Sequence, residues 1–258
     1  MAYAAEKIKT YPGQPPEHFD GHAHGALLHP AGSRGVVTMA HRDAQHWHER
    51  RVKLDDIPDA TRAAVGATDV YLSQQRFYGW RRISQLKELG SCYLDLDYQR
   101  TSRSSQRPEA VASAVRWRLD DADLPEPWIF ATGRGLLLLW AIEPIPRQAL
   151  PRWQAVQGAL AGALHGFGVD KRALDAARVF RLAGTLNSRA VPGDDCVRLL
   201  HRPSTERWAF DDLADDVLPM QRGDLVALRA ERAKRRAAGA QSGPRRRLDA
   251  GTLWETRL

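Results

Sequence analysis

The amino-acid sequence predicts an α+β fold, and three observations carry that expectation. Short runs of strand-forming residues recur at 35–40, 69–73, 91–97, 128–130, 136–142 and 197–200. Between them, 108–119 and 150–167 space apolar residues along one helix face. The basic excess is also gathered in one place. Residues 221–258 hold ten Lys and Arg against four Asp and Glu, in a chain whose net charge is +7. The body is therefore near neutral, and a basic, partly helical C-terminal tail suits contact with a polyanion such as nucleic acid. A solvated helix or linker is the plainer reading of the same tail.

The expected division is a flexible leader over 1–30, a folded body over 31–219 and a basic linker over 220–258 that begins a helical region. The leader crowds Pro12, Pro15 and Pro16 with His18, His22, His24 and His29. Leu253, Trp254 and Leu258 resemble the start of a helix with nothing after it to pack on. The chain is thus expected to be the front part of a longer protein. Apolar residues make up 43% and charged residues 27%, enough for a sizeable core in a globular protein. No apolar run approaches the roughly 18–20 residues of a membrane span, and no secretory signal pattern opens the chain. Cys92 and Cys196 cannot make a zinc site alone and read as buried free thiols of a reduced, cytoplasmic protein.

Taken in order, 35–40 is a β-branched strand. His41, His46 and His48 follow it, without a cysteine to complete a familiar zinc spacing, and read as surface or template-contact residues. Residues 58–65 form a short helix with Pro58 in its first turn. The strand 69–73 leads into a polar and aromatic loop over 74–80, and 81–89 ends at Gly90 in a turn. Residues 91–97 are the acidic strand, and 99–106 a polar loop carrying Arg100 and Arg103. Pro108 opens a helix, with Val111, Ala114, Val115 and Leu119 on its core face. Strands 128–130 and 136–142 flank the turn Thr132-Gly133-Arg134-Gly135. The helix 150–167 buries Trp153, Val156, Leu160, Leu164 and Phe167, and Gly168 ends it. Residues 207–218 read as an acidic helix.

The chemistry concentrates in three stretches. Side chains alternate along a strand, so Asp95 and Asp97 share one face while Cys92, Leu94 and Leu96 share the other. Two like charges so close call for a cation, and Mg²⁺ or Mn²⁺ prefers such hard oxygen ligands. Two solvated aspartates are the bland alternative. In the second stretch, Gly133 and Gly135 permit a turn whose amides form an anion nest, with Arg134 at its tip. The third stretch, 169–189, packs Asp170, Asp175, Arg178, Arg181, Gly184, Thr185 and Asn187 into one segment, a mixture that structure alone rarely needs.

These three stretches, in this order, resemble the archaeo-eukaryotic primase superfamily, in particular the primases and primase-polymerases of plasmids and mobile elements. The resemblance covers about 69–200. Its most specific part is 175–187, similar to the family's Asp-x-x-Arg-x-x-Arg-Leu-Pro-Gly-Thr-x-Asn, with Ala183 in place of the proline. The resemblance implies a catalytic core over 31–219 built on an RRM-like antiparallel sheet flanked by helices. It also implies two-metal nucleotidyl transfer, with Mg²⁺ or Mn²⁺ held by Asp95, Asp97 and Asp175 as the catalytic acids. Asp170 competes for the third ligand but lies outside the motif. Thr132, Gly133, Arg134 and Gly135, with Arg178, Arg181 and Asn187, are the expected nucleotide-binding residues, since Arg presents forked donors to phosphate. Thr185 and Asn187 either shape the sugar pocket or stabilise the turn. One departure stands out: many relatives carry a phosphate-contacting His where this chain has Leu137.

The function expected is a DNA primase or primase-polymerase in plasmid replication, a nucleotidyltransferase acting in the cytoplasm. Its expected partners are a single-stranded DNA template, nucleoside triphosphates (NTP or dNTP), and a replicative helicase or other replication proteins. A non-catalytic, origin-binding initiator is the alternative, favoured by Leu137 and the basic tail. A metal-dependent nuclease would use similar acids without an arginine-rich triphosphate pocket.

Overall fold

The computed structural model describes residues 19–43, 45–190 and 193–219, together with scattered positions between 223 and 234. The chain divides into two compact units, Met1–Pro219 and Met220–Leu258. In the second unit the described positions are helical. The expected helix start at 253–258 lies outside the described residues.

The first unit is a mixed α+β fold around one antiparallel sheet, as expected. Its strands are β1 (Val36–Arg42), β2 (Trp47–Lys53), β3 (Val70–Ser73), β4 (Arg76–Phe77), β5 (Leu86–Leu96), β6 (Trp128–Ala131), β7 (Leu136–Pro146), β8 (Val179–Arg181) and β9 (Arg198–His201). The order is β8-β3-β1-β4-β5-β7-β6-β9, with β2 paired to the outer edge of β1. The helices are α1 (Gly21–Leu28), α2 (Ile57–Arg62), α3 (Pro108–Asp121), α4 (Leu150–Ala163) and α5 (Phe210–Val217). α4 lies along β5, α5 packs on α4 and β7, and α3 meets β9. Among the described residues no helix is long and apolar enough to cross a membrane.

The segment expected as a loop over 74–80 instead contains β4, and Gln74, Gln75 and Arg76 are buried. β3 and β4 are two halves of one bent strand that runs antiparallel to β1. Met39 faces Leu72 on one half and Val36 faces Phe77 on the other. At the bend the neighbours part: β3 continues to β8, and β4 to β5. The sheet therefore forks at Gln74-Gln75. Gly90 is no turn either, since β5 runs through it with an irregularity in its pairing to β7.

The leader is corrected over its second part, while 1–18 lie outside the described residues. Asp20 caps α1 by accepting the Ala23 amide at 3.0 Å. Gly25 sits so close to α2 that a Cβ there would lie 3.0 Å from Ile57 Cγ2 and Thr61 Cγ2. His24 stacks on Phe130 at 4.6 Å, and its Nδ1 accepts the Ala183 amide at 3.1 Å. Glycine and histidine read as loop residues in a sequence, yet here small size and a flat ring make the packing. The thiol expectation holds for Cys92, which is buried, and fails for Cys196, which is exposed.

A buried ion pair joins α1 to the fork. Arg76 is fully buried, and donates to Glu88 at 3.1 Å and to the Leu28 carbonyl at 3.0 Å. Burial pushes its pKa down to about 10 against the raising influence of Glu88. Removing one member leaves the other as an uncompensated buried charge. Glu88→Gln is therefore expected to lose about 3–5 kcal/mol of unfolding free energy in urea titration.

Candidate active site

The site is assembled along the free edge of β5. One edge of this strand pairs with β7 over most of its length, but β4 covers only the first residues of the other. Beyond the fork the exposed backbone groups need partners, because an unpaired buried amide or carbonyl is costly. Gln75 supplies two contacts, accepting the Gly90 amide at 2.6 Å and donating to the Ser91 carbonyl at 2.8 Å. Trp153 Nε1 donates to the same Ser91 carbonyl at 2.9 Å. Gln157 from α4 takes both groups of Tyr93, accepting its amide at 2.8 Å and donating to its carbonyl at 3.0 Å. The last stretch is covered by backbone. The Asp170 amide donates to the Asp95 carbonyl, and the Asp97 amide to the Gly168 carbonyl, each at 2.8 Å.

That final pairing decides which acids meet. It sets Asp170 beside Asp95, with Asp97 just past the end of β5. Asp95 has its pKa raised to about 7, first by burial, then by the charge of Asp170 and next that of Asp97, with Arg181 opposing. Leu137, fully buried, is the direct cross-strand partner of Asp95 and so shares its face. The apolar residue at this position adds to the desolvation. Asp97 carries an ion pair to the exposed Arg100 at 2.8 Å. Three oxygen-donor acids crowded enough to raise the central pKa form a set that hard divalent cations suit. Among the described residues, the group of ligand atoms lying within 4.8 Å of one another is elsewhere, at Asp43, His46 and His48.

Asp175 is partly exposed and closes a turn of its own. One of its oxygens accepts the Ala177 amide at 2.9 Å, and the other accepts Arg178 Nε at 2.7 Å. Its carbonyl accepts the Tyr93 hydroxyl at 2.6 Å. Asp175 is the expected third ligand and Asp170 its competitor, and the two are held differently. The motif's acid closes its own turn and orients Arg178, while the acid outside the motif reaches the strand.

Arg181 is held by a residue the sequence reading passed over as an ordinary strand start. Asp69 is 4% exposed and has a left-handed backbone with φ +52°. It accepts Arg181 Nη2 at 3.0 Å, and also the Ser188 amide and hydroxyl. Hydrogen bonds from Ser188 and Arg181 outweigh burial and hold its carboxyl below the usual range. A polar residue at positive φ leaves no mark in a hydrophobicity pattern.

The hairpin turn lies against the same strand. The Thr132 amide donates to the Gly135 carbonyl at 3.0 Å, and Gly133 has φ +84°. Gly135 presses on the Leu96 carbonyl so closely that a Cβ would collide with it. The turn is thus seated on the peptide between Asp95 and Asp97, with Arg134 exposed at its tip. Asn187 donates to the Thr132 carbonyl at 2.6 Å, and Thr185 is buried with its hydroxyl on the Leu182 carbonyl at 2.7 Å. Both stabilise turns here. The structure thus brings together Asp95, Asp97, Asp170, Arg181 and the 132–135 turn.

Comparison with known proteins agrees with this architecture. No family model matches the chain. A curated relative from Clostridium perfringens described as "Replication protein" is 32% identical over 163 residues, which are 61% of this chain and 38% of that protein. The chain thus spans well under half of that relative's length. Among solved structures, the archaeo-eukaryotic primase domain of the cyanophage S-2L primase-polymerase is similar with a TM-score of 0.51 at 14% identity. The match covers 76% of this chain and 95% of that one. The primase RepB′ aligns with a TM-score of 0.46 at 16% identity, over 86% of this chain and 69% of that one. The likeness to the cyanophage domain is one of fold.

Asp95 makes the folded state costly when ionised. Its folded pKa lies above the unfolded value, so it opposes folding increasingly as pH rises from about 4 to 7. Asp95→Asn is therefore expected to raise the melting temperature of chelator-treated protein at pH 7.5, and to raise it less at pH 5. Calorimetry at the two pH values checks both parts.

Proposed function

We propose that this chain is the catalytic domain of a replication primase or primase-polymerase, of the kind that serves plasmids and other mobile elements. It would extend chains on a single-stranded DNA template from nucleoside triphosphates. The observation that carries the reading is the convergence of Asp95, Asp97 and Asp170 at the end of β5, next to Arg181 and the Gly133–Gly135 turn, in a fold of that kind. The replication protein similar over 163 residues supports the same process. The working place is the cytoplasm, alongside a helicase or other replication proteins.

Asp95, Asp97 and Asp170 would hold Mg²⁺ or Mn²⁺. Metal bound there would supply a lowered pKa for an attacking hydroxyl and charge stabilisation for the leaving oxygen. The protein's own residues do the rest. Arg181, fixed by Asp69, and Arg178, fixed by Asp175, present guanidinium groups to the triphosphate. The amides of the 132–135 turn and the exposed Arg134 add a second phosphate contact from the opposite strand. Leu137 stands where many relatives carry a phosphate-contacting His, so the arginines take a larger share of triphosphate binding. Tyr93, Gln157 and Gln75 hold the acidic strand in place while the acids repel one another.

The test is primer synthesis on single-stranded DNA with Mg²⁺ or Mn²⁺ and either NTPs or dNTPs. Short template-dependent products are expected. Asp95→Ala and Asp170→Ala should lower product by about a hundredfold or more, the scale of losing charge stabilisation at a reacting centre. Asp175→Asn should cost about tenfold, as expected of a positioning residue. Full activity in Asp170→Ala with none in Asp175→Asn would restore the motif acid as third ligand. The buried Leu137 keeps a second reading in view, an origin-binding initiator without catalysis. Sequence-specific duplex binding with no metal-dependent product would select it.

A further inference from the structure

Far along the chain from the acidic strand, the tip of the β1–β2 hairpin gathers four residues of metal-ligating type within eight positions. They are His41, Asp43, His46 and His48. We propose that Asp43, His46 and His48 form a binding site for a transition-metal ion of the zinc class. Their ligand atoms all lie within 4.8 Å of one another, and all three residues are exposed.

The backbone builds the cluster. His41 faces His48 and Arg42 faces Trp47 in the antiparallel register. The Asp43 amide donates to the His46 carbonyl at 3.1 Å and closes a tight turn. His46 lies just before β2, and its ring centroid is 6.0 Å from that of His48. Asp43 Oδ1 is pinned from behind by the Gln45 amide at 2.8 Å and the His46 amide at 2.6 Å. Its other oxygen lies 2.8 Å from His48 Nε2, and its Oδ1 lies 3.8 Å from His46 Nδ1. The His41 ring stacks on that of His48 at 4.6 Å and fixes its plane. Two imidazoles and one carboxylate close together make a donor set that suits Zn²⁺ and its neighbours in the transition series. Mg²⁺ prefers an all-oxygen shell and is not matched here. A plain Asp43–His48 hydrogen bond capping the turn explains part of the geometry. It does not account for His46 and His41 converging on the same solvent-exposed side.

The ion would act as a clip on the hairpin, with its remaining coordination open to water. The strand ends next to this tip bear on the side of the molecule that carries Arg181. The Arg42 amide donates to the Asp69 carbonyl at 3.1 Å, and Trp47 packs on Tyr71 at 4.9 Å. Arg181 lies over the same Tyr71 ring at 4.9 Å. Holding the tip thus steadies the strand pairing that carries Asp69 and Tyr71 to Arg181.

The test uses untagged full-length chain freed of metal with a chelator, then titrated with Zn²⁺ against a chromogenic competitor. One equivalent is expected to bind at the hairpin. His46→Ala and His48→Ala should each weaken that equivalent by about tenfold or more. Both residues are exposed, and circular dichroism should show the fold retained. Asp95→Asn should leave Zn²⁺ affinity unchanged, which separates this site from the acidic strand and from the proposed polymerase activity. With Co²⁺ as probe, a visible absorption band should appear and be lost in His48→Ala. Absence of Zn²⁺ binding, retained affinity in both histidine variants, or an equal loss in Asp95→Asn would overturn the proposal.

Discussion

The architecture depends on a backbone problem: β5 runs on after its neighbour β4 has ended. A strand buried in the middle of a sheet cannot leave a row of amides and carbonyls without partners. The molecule fills the row in sequence with Gln75, Trp153, Gln157 and then the peptide groups at Gly168 and Asp170. The last pairing is indifferent to charge and brings a third carboxylate against two already present. Hydrogen-bond satisfaction therefore creates the electrostatic conflict at Asp95. The need to complete a sheet edge and the need to gather acids are met by the same few bonds.

The conflict is tolerated because the surroundings are rigid. α4 is anchored by Arg152 to Asp211 and Asp215 of α5, and its Gln157 grips β5 at the residue two positions before Asp95. Tyr93 packs edge-on against Trp153 and Phe180 and donates to Asp175. Strain held at a functional site in this way is a common trade between stability and activity.

Much of the framework was legible in the sequence. β1, β3, β5, β6, β7 and β9 lie within a few residues of the periodic apolar runs, and α3 and α4 begin at Pro108 and Leu150 as their patterns imply. The acidic stretch itself falls at the end of β5, with Asp95 inside the strand and Asp97 just beyond it. What failed to show was long-range or atypical. Gln74, Gln75 and Arg76 are polar yet buried, because each serves backbone groups or an ion pair that no local pattern reveals. α1 was hidden by glycines and histidines that normally mark loops. Asp170 and Asp175 could not be ranked by spacing, since their roles depend on whose backbone meets β5. Asp69 was invisible because its importance lies in a left-handed backbone and two partners over a hundred residues away, Arg181 and Ser188.

The seat of Gly135 on the Leu96 carbonyl has a consequence for how such a domain can diversify. The turn and the acidic strand share one register with no slack, so an inserted or enlarged residue at 135 has nowhere to go. Variation at this turn must then arise at position 134, whose side chain is exposed. The seat of the turn is frozen by geometry, and only its tip is left open to drift.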